Sequence, residues 1–359
     1  MPVRTDRRQF LAGLAGGVGG MLLALRSPGE AGDRAEPRTA VVGRLMLGTL
    51  VESEATHPDL SVARAALRAG FDRIDDVDRM MSIFRADSEI SRVNGLAGRD
   101  AVSVSDDTYR VLREARALGA RTRGALDVTI LPLMRLWSGA ARDGRLPSRV
   151  ELDTTAGLVG VGDLVLDECR RAVALRRPGA GIDLGGIAKG YAVDVAVEAL
   201  RVRGIVSGIV NAGGDLRVLG RSPDGSLWRI GLRHPLRPDS LILSLGVEDE
   251  SVATSGNYFR YFTVAGRQYG HVLDPRTGTP AETALSATVV APRAMRADGL
   301  ATGALVRGVG GALDVIREAG VEGIVVSDWP GHPGGVVAHV TRGLAERVDL
   351  LDPTAVIVS

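Results

Sequence analysis

Apolar residues at helical spacing mark the first half of the chain. Between residues 60 and 80 they recur at intervals of three and four, which predicts an amphipathic helix. A second helix is predicted over residues 106–118. Ser103 or Ser105 is its candidate N-cap, and Gly124 follows its end.

The second half combines one more helix with short β-type runs. The helix is predicted over residues 187–202 and stops at Gly204, with an apolar face of Tyr191, Val195, Ala199 and Leu200. The predicted strands, separated by turn residues, are 205–210, 228–232, 241–247, 258–264 and 286–290. Helices placed early and late around a run of strands predict an α+β fold with a large mixed β-sheet flanked by helices.

The N-terminus resembles an export signal. Arg7 and Arg8 precede a Gly/Ala/Leu run that ends at Leu25, followed by a linker rich in Pro, Gly and charge. A short membrane anchor is the alternative, but the run falls short of the ~20 apolar residues that span a bilayer. We therefore expect a twin-arginine signal and linker over residues 1–35, a single domain over residues 36–359, and an exported, periplasmic protein without a stable membrane span.

Charge and cysteine content limit the classes of function. The chain has 44 Lys and Arg against 43 Asp and Glu, a net charge of +1, so nucleic acid is not an expected partner. Cys169 is the only cysteine, which excludes an intramolecular disulfide. Any anionic ligand must therefore be held by a local site.

Two glycine-rich segments are candidates for binding phosphate. Residues 181–190 pass from an apolar run through paired glycines into the predicted helix, where main-chain N–H groups and Lys189 can face an anion. Residues 211–215, Asn-Ala-Gly-Gly-Asp, leave similar room beside the backbone. The alternative for the first segment is a structural turn; the second segment, taken alone, is better explained as a tight turn capped by Asp215.

Two later segments offer proton transfer and metal binding. His271 precedes a turn that carries Asp274, and a histidine can accept a hydroxyl proton near neutral pH. Asp298 and Thr302 lie four residues apart at the start of a predicted helix, so they share one face and supply oxygen ligands of the kind Mg²⁺ prefers. The structural alternatives are a satisfied histidine and a helix-capping aspartate.

Taken together and in this order, the segments resemble the ApbE family of FAD:protein FMN transferases. The resemblance extends from about Gly43 to about Gly308. The stretches that carry it are residues 48–49, 81–92, 125–127, 182–194, 211–215, 253–256, 271–278 and 297–302.

The resemblance implies a set of site residues. The flavin ring is expected between Leu47, where the family usually has Met, and Phe84. The rest of FAD is expected to contact Ala125, Leu126, Asp127, Asp183, Lys189 and Val272. Mg²⁺ is expected at Asp298, Thr302 and the main-chain oxygens of Gly186 and Ala301. His271 is the candidate base, with Asp274 either orienting it or only capping the turn.

The implied reaction is Mg²⁺-dependent phosphoryl transfer. A Thr or Ser hydroxyl of an acceptor flavoprotein attacks the FMN-side phosphorus of FAD, and AMP leaves. The family's acceptors are flavin-carrying subunits of membrane electron-transport complexes and related exported flavoproteins. The alternatives are an FAD pyrophosphatase that releases FMN and AMP, and a periplasmic flavin-binding protein without turnover.

Overall fold

A computed structural model describes residues 24–25, 38–257, 261–264 and 266–359. The predicted twin-arginine pair and residues 258–260 of one predicted strand lie outside the described residues. The strands are β1 Ala24–Leu25, β2 Arg38–Met46, β3 Thr49–His57, β4 Val102–Ser103, β5 Leu164–Asp167, β6 Ala172–Leu175, β7 Ser207–Ala212, β8 Asp215–Leu219, β9 Trp228–His234, β10 Arg237–Val247, β11 Ser251–Gly256, β12 Tyr261–Val264, β13 Arg267–Gly270, β14 Ser286–Ala291, β15 Glu322–Asp328, β16 Val336–Val340, β17 Val348–Leu350 and β18 Ala355–Val358.

The helices lie mostly before and after the run of strands. They are α1 Leu60–Met81, α2 Glu89–Gly95, α3 Asp106–Arg121, α4 Leu131–Arg142, α5 Arg149–Ala156, α6 Ala188–Val202 and α7 Ala294–Glu318, with 3-10 turns at Val161–Asp163 and Arg342–Arg347. Of the described helices, only α7 is long and apolar enough to resemble a membrane span, but most of it is buried as in a core helix.

A nine-stranded sheet organises the molecule. Its order is β18-β16-β15-β14-β11-β8-β7-β3-β2, antiparallel except for the parallel pair β16 and β18, so the predicted mixed sheet is confirmed. One face packs against α1, α6 and α7, and α3 joins the same core by packing on α7. The other face packs against β9 and β10 of a four-stranded sheet in a second core. The result is three layers, with the large sheet in the middle.

Two tight hairpins meet at one end of the large sheet. Leu47 and Gly48 join β2 to β3 with positive φ angles of 54° and 71°. Gly213 and Gly214 join β7 to β8, also with positive φ. A Cβ at Gly213 would lie 2.3 Å from Thr49 Oγ1, so only glycine permits this close approach of the two hairpins.

The predicted helices are confirmed in position, with one correction. Ser105 is the N-cap of α3, accepting a hydrogen bond from the N–H of Thr108, and Gly204 ends α6 with a φ of 80°. The predicted one-sided apolar face of α6 is wrong, because the helix lies between the sheet, α1 and α7. Its buried residues also include Ala192, Val193, Ala196 and Val197, whereas Val195 and Ala199 are only partly buried.

Two of the predicted strands begin at residues other than those predicted. The first begins at Ser207 rather than at residue 205, because Ile205 N–H bonds to Leu200 O and still completes the end of α6. The strand predicted over 241–247 begins already at Arg237. The strands at Trp228 and Ser286 begin where they were predicted.

Candidate active site

Three charged side chains meet between α6, α7 and β8. Lys189, in the first turn of α6, contacts Asp215 Oδ2 at the start of β8, and its Nζ lies 3.6 Å from Asp298 Oδ2 of α7. The Asp298 side chain is 2% exposed and the Asp215 side chain 4%, whereas Lys189 is 24% exposed. The lysine is therefore the member of the cluster closest to solvent.

Close approach of two helices makes this cluster possible. Asp298 Oδ2 accepts a hydrogen bond of 3.0 Å from the main-chain N–H of Gly190. A Cβ at Gly190 would lie 2.2 Å from the carbonyl oxygen of Ala294, so α6 and α7 touch backbone to backbone here. Glycine at this position brings the carboxylate of one helix onto the first turn of the other.

The environment of Asp298 opposes its charge. Burial, followed by the negative charge of Asp215, raises the pKa of Asp298 to about 7 from its ordinary 3.8. The charge of Lys189 and the N–H of Gly190 act in the opposite direction. A cation at this carboxylate would therefore relieve an electrostatic penalty.

Further oxygen atoms surround Asp298. Thr302 lies one turn later on α7, and its Oγ1 is 3.1 Å from Ser255 Oγ at the end of β11. A Cβ at Gly186 would lie 3.1 Å from Thr302 Oγ1, which brings the turn before α6 against the same hydroxyl. Ala301, which precedes Thr302, is buried. The described part of the chain contains no cluster of three His, Cys, Asp or Glu residues, so a metal here would depend on this mixed oxygen set.

The residues expected around the nucleotide lie next to this oxygen set. Leu126 Cδ1 is 3.5 Å from the Cβ position of Gly186, and Asp183 Oδ1 accepts the N–H of Gly185. Ala125 packs in one small cluster with Val272. The structure thus brings together four segments that are up to 177 positions apart in sequence, from Ala125 to Thr302.

The side chain of Asp127 has a structural role. Its carboxylate accepts the N–H of Thr129 at 2.8 Å and the N–H of Val161 at 3.0 Å. These bonds fix the turn that follows Leu126. Any contact of this residue with a nucleotide would therefore involve its main chain or a carboxylate already engaged in three hydrogen bonds, one of them from the Thr129 hydroxyl.

Of the two residues expected at the flavin ring, one has an unusual backbone conformation and the other has an exposed side chain. Leu47 adopts a φ of 54° at its hairpin tip, which is rare for a bulky side chain. Phe84, just after α1, is 63% exposed. Strained backbone and exposed aromatic rings are more common at ligand sites than elsewhere.

The segment that carries His271 is fixed to the end of β11. Asn257, two residues after Ser255, accepts the N–H of Val272 and donates to the carbonyl of Ala281. The carboxylate of Asp274 accepts the N–H and two guanidinium N–H groups of Arg276. Of the two roles predicted for Asp274, these bonds show the turn-forming one.

Sequence patterns did not reveal several of these partners. The motifs do not predict that Ser255 contacts Thr302 or that Asn257 contacts Val272. For Asp215 they predict a turn residue. The turn is real, but alternation along β8 also directs the Asp215 carboxylate toward α6. That alternation was the one available signal.

Comparisons with known proteins agree with the fold and the ordered motifs. The sequence profile described as the ApbE family matches residues 47–325. A Vibrio cholerae protein named FAD:protein FMN transferase is 38% identical over 249 residues, covering 67% of this chain and 73% of the relative. A Treponema pallidum protein of the same name is 30% identical over 355 residues, covering 93% and 96%. The solved structure "Flavin Transferase ApbE from Vibrio cholerae" superposes with a TM-score of 0.76 at 29% identity, covering 85% of this chain and 98% of that one.

Fold, motifs and relatives together define an enzyme that transfers a phosphorus-containing group, as the sequence predicted. The chain belongs to the ApbE family.

Proposed function

We propose that the protein transfers FMN from FAD to a Thr or Ser hydroxyl of an acceptor flavoprotein. The observation that carries this proposal is the buried carboxylate of Asp298, 3.6 Å from Lys189, on a helix whose next turn carries Thr302 beside a glycine-rich turn. The relatives' shared name, FAD:protein FMN transferase, gives the donor, the transferred group and the class of acceptor.

The oxygen atoms around Asp298 suit a magnesium ion. One carboxylate, one hydroxyl and main-chain carbonyls form an oxygen-only donor set, with Asp298, Thr302, Gly186 and Ala301 as the residues that would hold the ion. Bound Mg²⁺ would neutralise negative charge on the diphosphate. Lys189, the exposed member of the cluster, would add a second positive charge toward the phosphates.

The flavin end of the donor would lie near the hairpin tip. Leu47 and the exposed ring of Phe84 offer apolar surface for the isoalloxazine. Ala125, Leu126, Asp127, Asp183 and Val272 would line the remainder of the nucleotide. The flavin would cover the ring of Phe84, which is otherwise open to water.

His271 is the proposed general base. It would take the proton of the acceptor hydroxyl while the hydroxyl oxygen bonds to the FMN-side phosphorus. The bond from this phosphorus to the bridging oxygen breaks, and its electron pair leaves with AMP. With water as the nucleophile, the same groups would release free FMN, the reaction of an FAD pyrophosphatase. A flavin-binding protein without turnover would form neither product.

Product analysis distinguishes these three functions. Purified protein is incubated with FAD and Mg²⁺, with and without a flavin-carrying electron-transport subunit as acceptor. Transfer predicts AMP release that depends on the acceptor, and at least ~100-fold slower release in Asp298→Ala. AMP and free FMN formed equally well without acceptor would favour the pyrophosphatase, and no AMP would favour a binding protein.

We also propose that the chain is exported through its twin-arginine signal to the periplasm. Arg7 and Arg8 before a short apolar run support this proposal. Replacing both arginines by lysine should leave unprocessed protein in the cytoplasm. Continued export of that variant, or export in cells without the twin-arginine pathway, would contradict it.

A further inference from the structure

Two buried ion pairs of opposite polarity connect β8 to α6. Arg217 Nη1 lies 2.9 Å from Asp194 Oδ1, and two residues earlier on the strand Asp215 contacts Lys189. Leu216, between them, points into the second core. Asp194 also accepts the N–H groups of Ala294 and Met295, which satisfies the start of α7. The Arg217–Asp194 pair therefore fixes the two helices, whereas the Lys189–Asp215 pair reaches Asp298.

Lys189 is the only lysine among the 44 basic Lys and Arg residues of the chain. The chain thus uses arginine at every other basic position and keeps an ammonium here. A guanidinium is a rigid planar fork, whereas an ammonium is a compact charge that can exchange partners on a flexible stem. The ammonium at this position can therefore interact with Asp215 and with Asp298.

Electrostatics oppose the interaction of Lys189 with Asp298 if a cation binds at Asp298. Without metal, the ammonium of Lys189 is the positive charge nearest to Asp298, at 3.6 Å. A divalent cation on the same carboxylate would repel the ammonium strongly at such distances, because little water screens this buried cluster. Asp215 supplies a second carboxylate, which Lys189 already contacts.

We infer that Asp215 is a positioning residue that holds the Lys189 ammonium when Mg²⁺ occupies Asp298. It prevents the lysine from competing with the metal for Asp298 and keeps its charge beside the bound phosphates. This inference rests on the proposed magnesium site. Asp215 lies outside the expected set of magnesium ligands, but under this inference it contributes to the affinity for the metal.

The single lysine makes a direct test possible. Full-length protein carrying ¹³C- and ¹⁵N-labelled lysine gives one side-chain ammonium signal in an NMR spectrum. That signal is followed while Mg²⁺ alone is added, and calorimetric titration of the same samples gives the affinity. In the wild type we expect the signal to move as Mg²⁺ saturates the site.

Three variants separate the role of Asp215 from simple loss of charge. Asp215→Asn should bind Mg²⁺ at least ~10-fold more weakly, because Lys189 loses the carboxylate of Asp215 and can then pair with Asp298 in competition with the metal. In a Lys189→Met background the same substitution should cost less than ~3-fold, because the competing ammonium is gone. Asp215→Glu should restore most of the affinity. Tyr191→Phe, which removes the hydrogen bond from Tyr191 to Asp107 on the far side of α6, is the matched control and should bind as the wild type does.

Two affinity results would overturn the role of Asp215 while leaving the metal site in place: wild-type affinity in Asp215→Asn, or an equal loss in both backgrounds, which would mean that Asp215 acts on the metal through its own charge. A lysine signal unmoved by saturating Mg²⁺ would also overturn it. Absence of Mg²⁺ binding to the wild type would instead remove the proposed metal site, and this inference with it.

Discussion

Replacing Gly190 by alanine tests the helix contact on which the candidate site depends. The added Cβ would lie 2.2 Å from the carbonyl oxygen of Ala294 and 2.7 Å from the Cα of Met295. Both neighbours are backbone, so rotation of a side chain cannot relieve the clash. The helices α6 and α7 must separate by roughly 1 Å.

The cost can be estimated from its parts. Overpacking of this kind costs ~1–3 kcal/mol. Separation of the helices also weakens the 3.0 Å hydrogen bond from Gly190 N–H to Asp298, worth ~1.5–3 kcal/mol because the acceptor is charged. Alanine regains ~1 kcal/mol of helix propensity over glycine. We therefore expect a net loss of about 3 kcal/mol in the free energy of unfolding, or about 5 °C in melting temperature for a domain of this size.

Gly310→Ala is the matched control. Gly310 lies in α7, is exposed, and has no atom within 4 Å of its Cβ position. The same substitution there should stabilise the protein by up to ~1 kcal/mol. Thermal unfolding of both variants is followed by circular dichroism. If Gly190→Ala melted at or above the wild-type temperature, as Gly310→Ala should, the backbone contact between the two helices would be refuted.

Three further predictions concern ligand, base and pH. Phe84→Ala should weaken FAD binding in a fluorescence titration by ~1 kcal/mol or more, and unchanged affinity would move the flavin ring elsewhere. His271→Asn should keep FAD affinity but slow transfer ~10²–10⁴-fold and remove one limb of the pH–rate profile; a parallel loss of affinity with an unaltered profile would make His271 a binding residue. In the metal-free folded protein the pKa of Asp298 is higher than in the unfolded chain, so the unfolded chain loses this proton at a lower pH. The free energy of unfolding therefore falls progressively as pH rises from about 4 to about 7. The stability of Asp298→Asn relative to the wild type should therefore increase as pH rises across that interval, and a difference that stayed constant with pH would contradict the raised pKa.

Local patterns predicted the parts of the fold that are amphipathic. Helix α1 exposes one side to water, so spacing of three and four residues identified it almost to the residue. Helix α6 is buried on nearly all sides, so its spacing gave the helix but not its environment. The hairpin of β2 and β3 was missed because Leu-Gly is not a usual two-residue turn sequence and Leu47 must adopt a positive φ.

Contacts within the candidate site depend on topology. Lys189 and Asp215 are 26 positions apart and Gly190 and Asp298 are 108 apart; each pair meets because β8 and α7 both pack against α6. Ordered motifs could nominate these residues individually. Which carboxylate faces which charge follows only from how the helices pack on the sheet.

The central claim is transfer of FMN to a protein hydroxyl, and intact-mass spectrometry of the acceptor tests it most directly. A purified flavin-carrying electron-transport subunit is incubated with FAD, Mg²⁺ and the protein, and Asp298→Ala serves as the inactive control. The acceptor should gain the mass of one FMN less one water on a single Thr or Ser, with an equal amount of AMP released. An acceptor of unchanged mass, in a sample where FAD has been converted to free FMN and AMP, would contradict the claim.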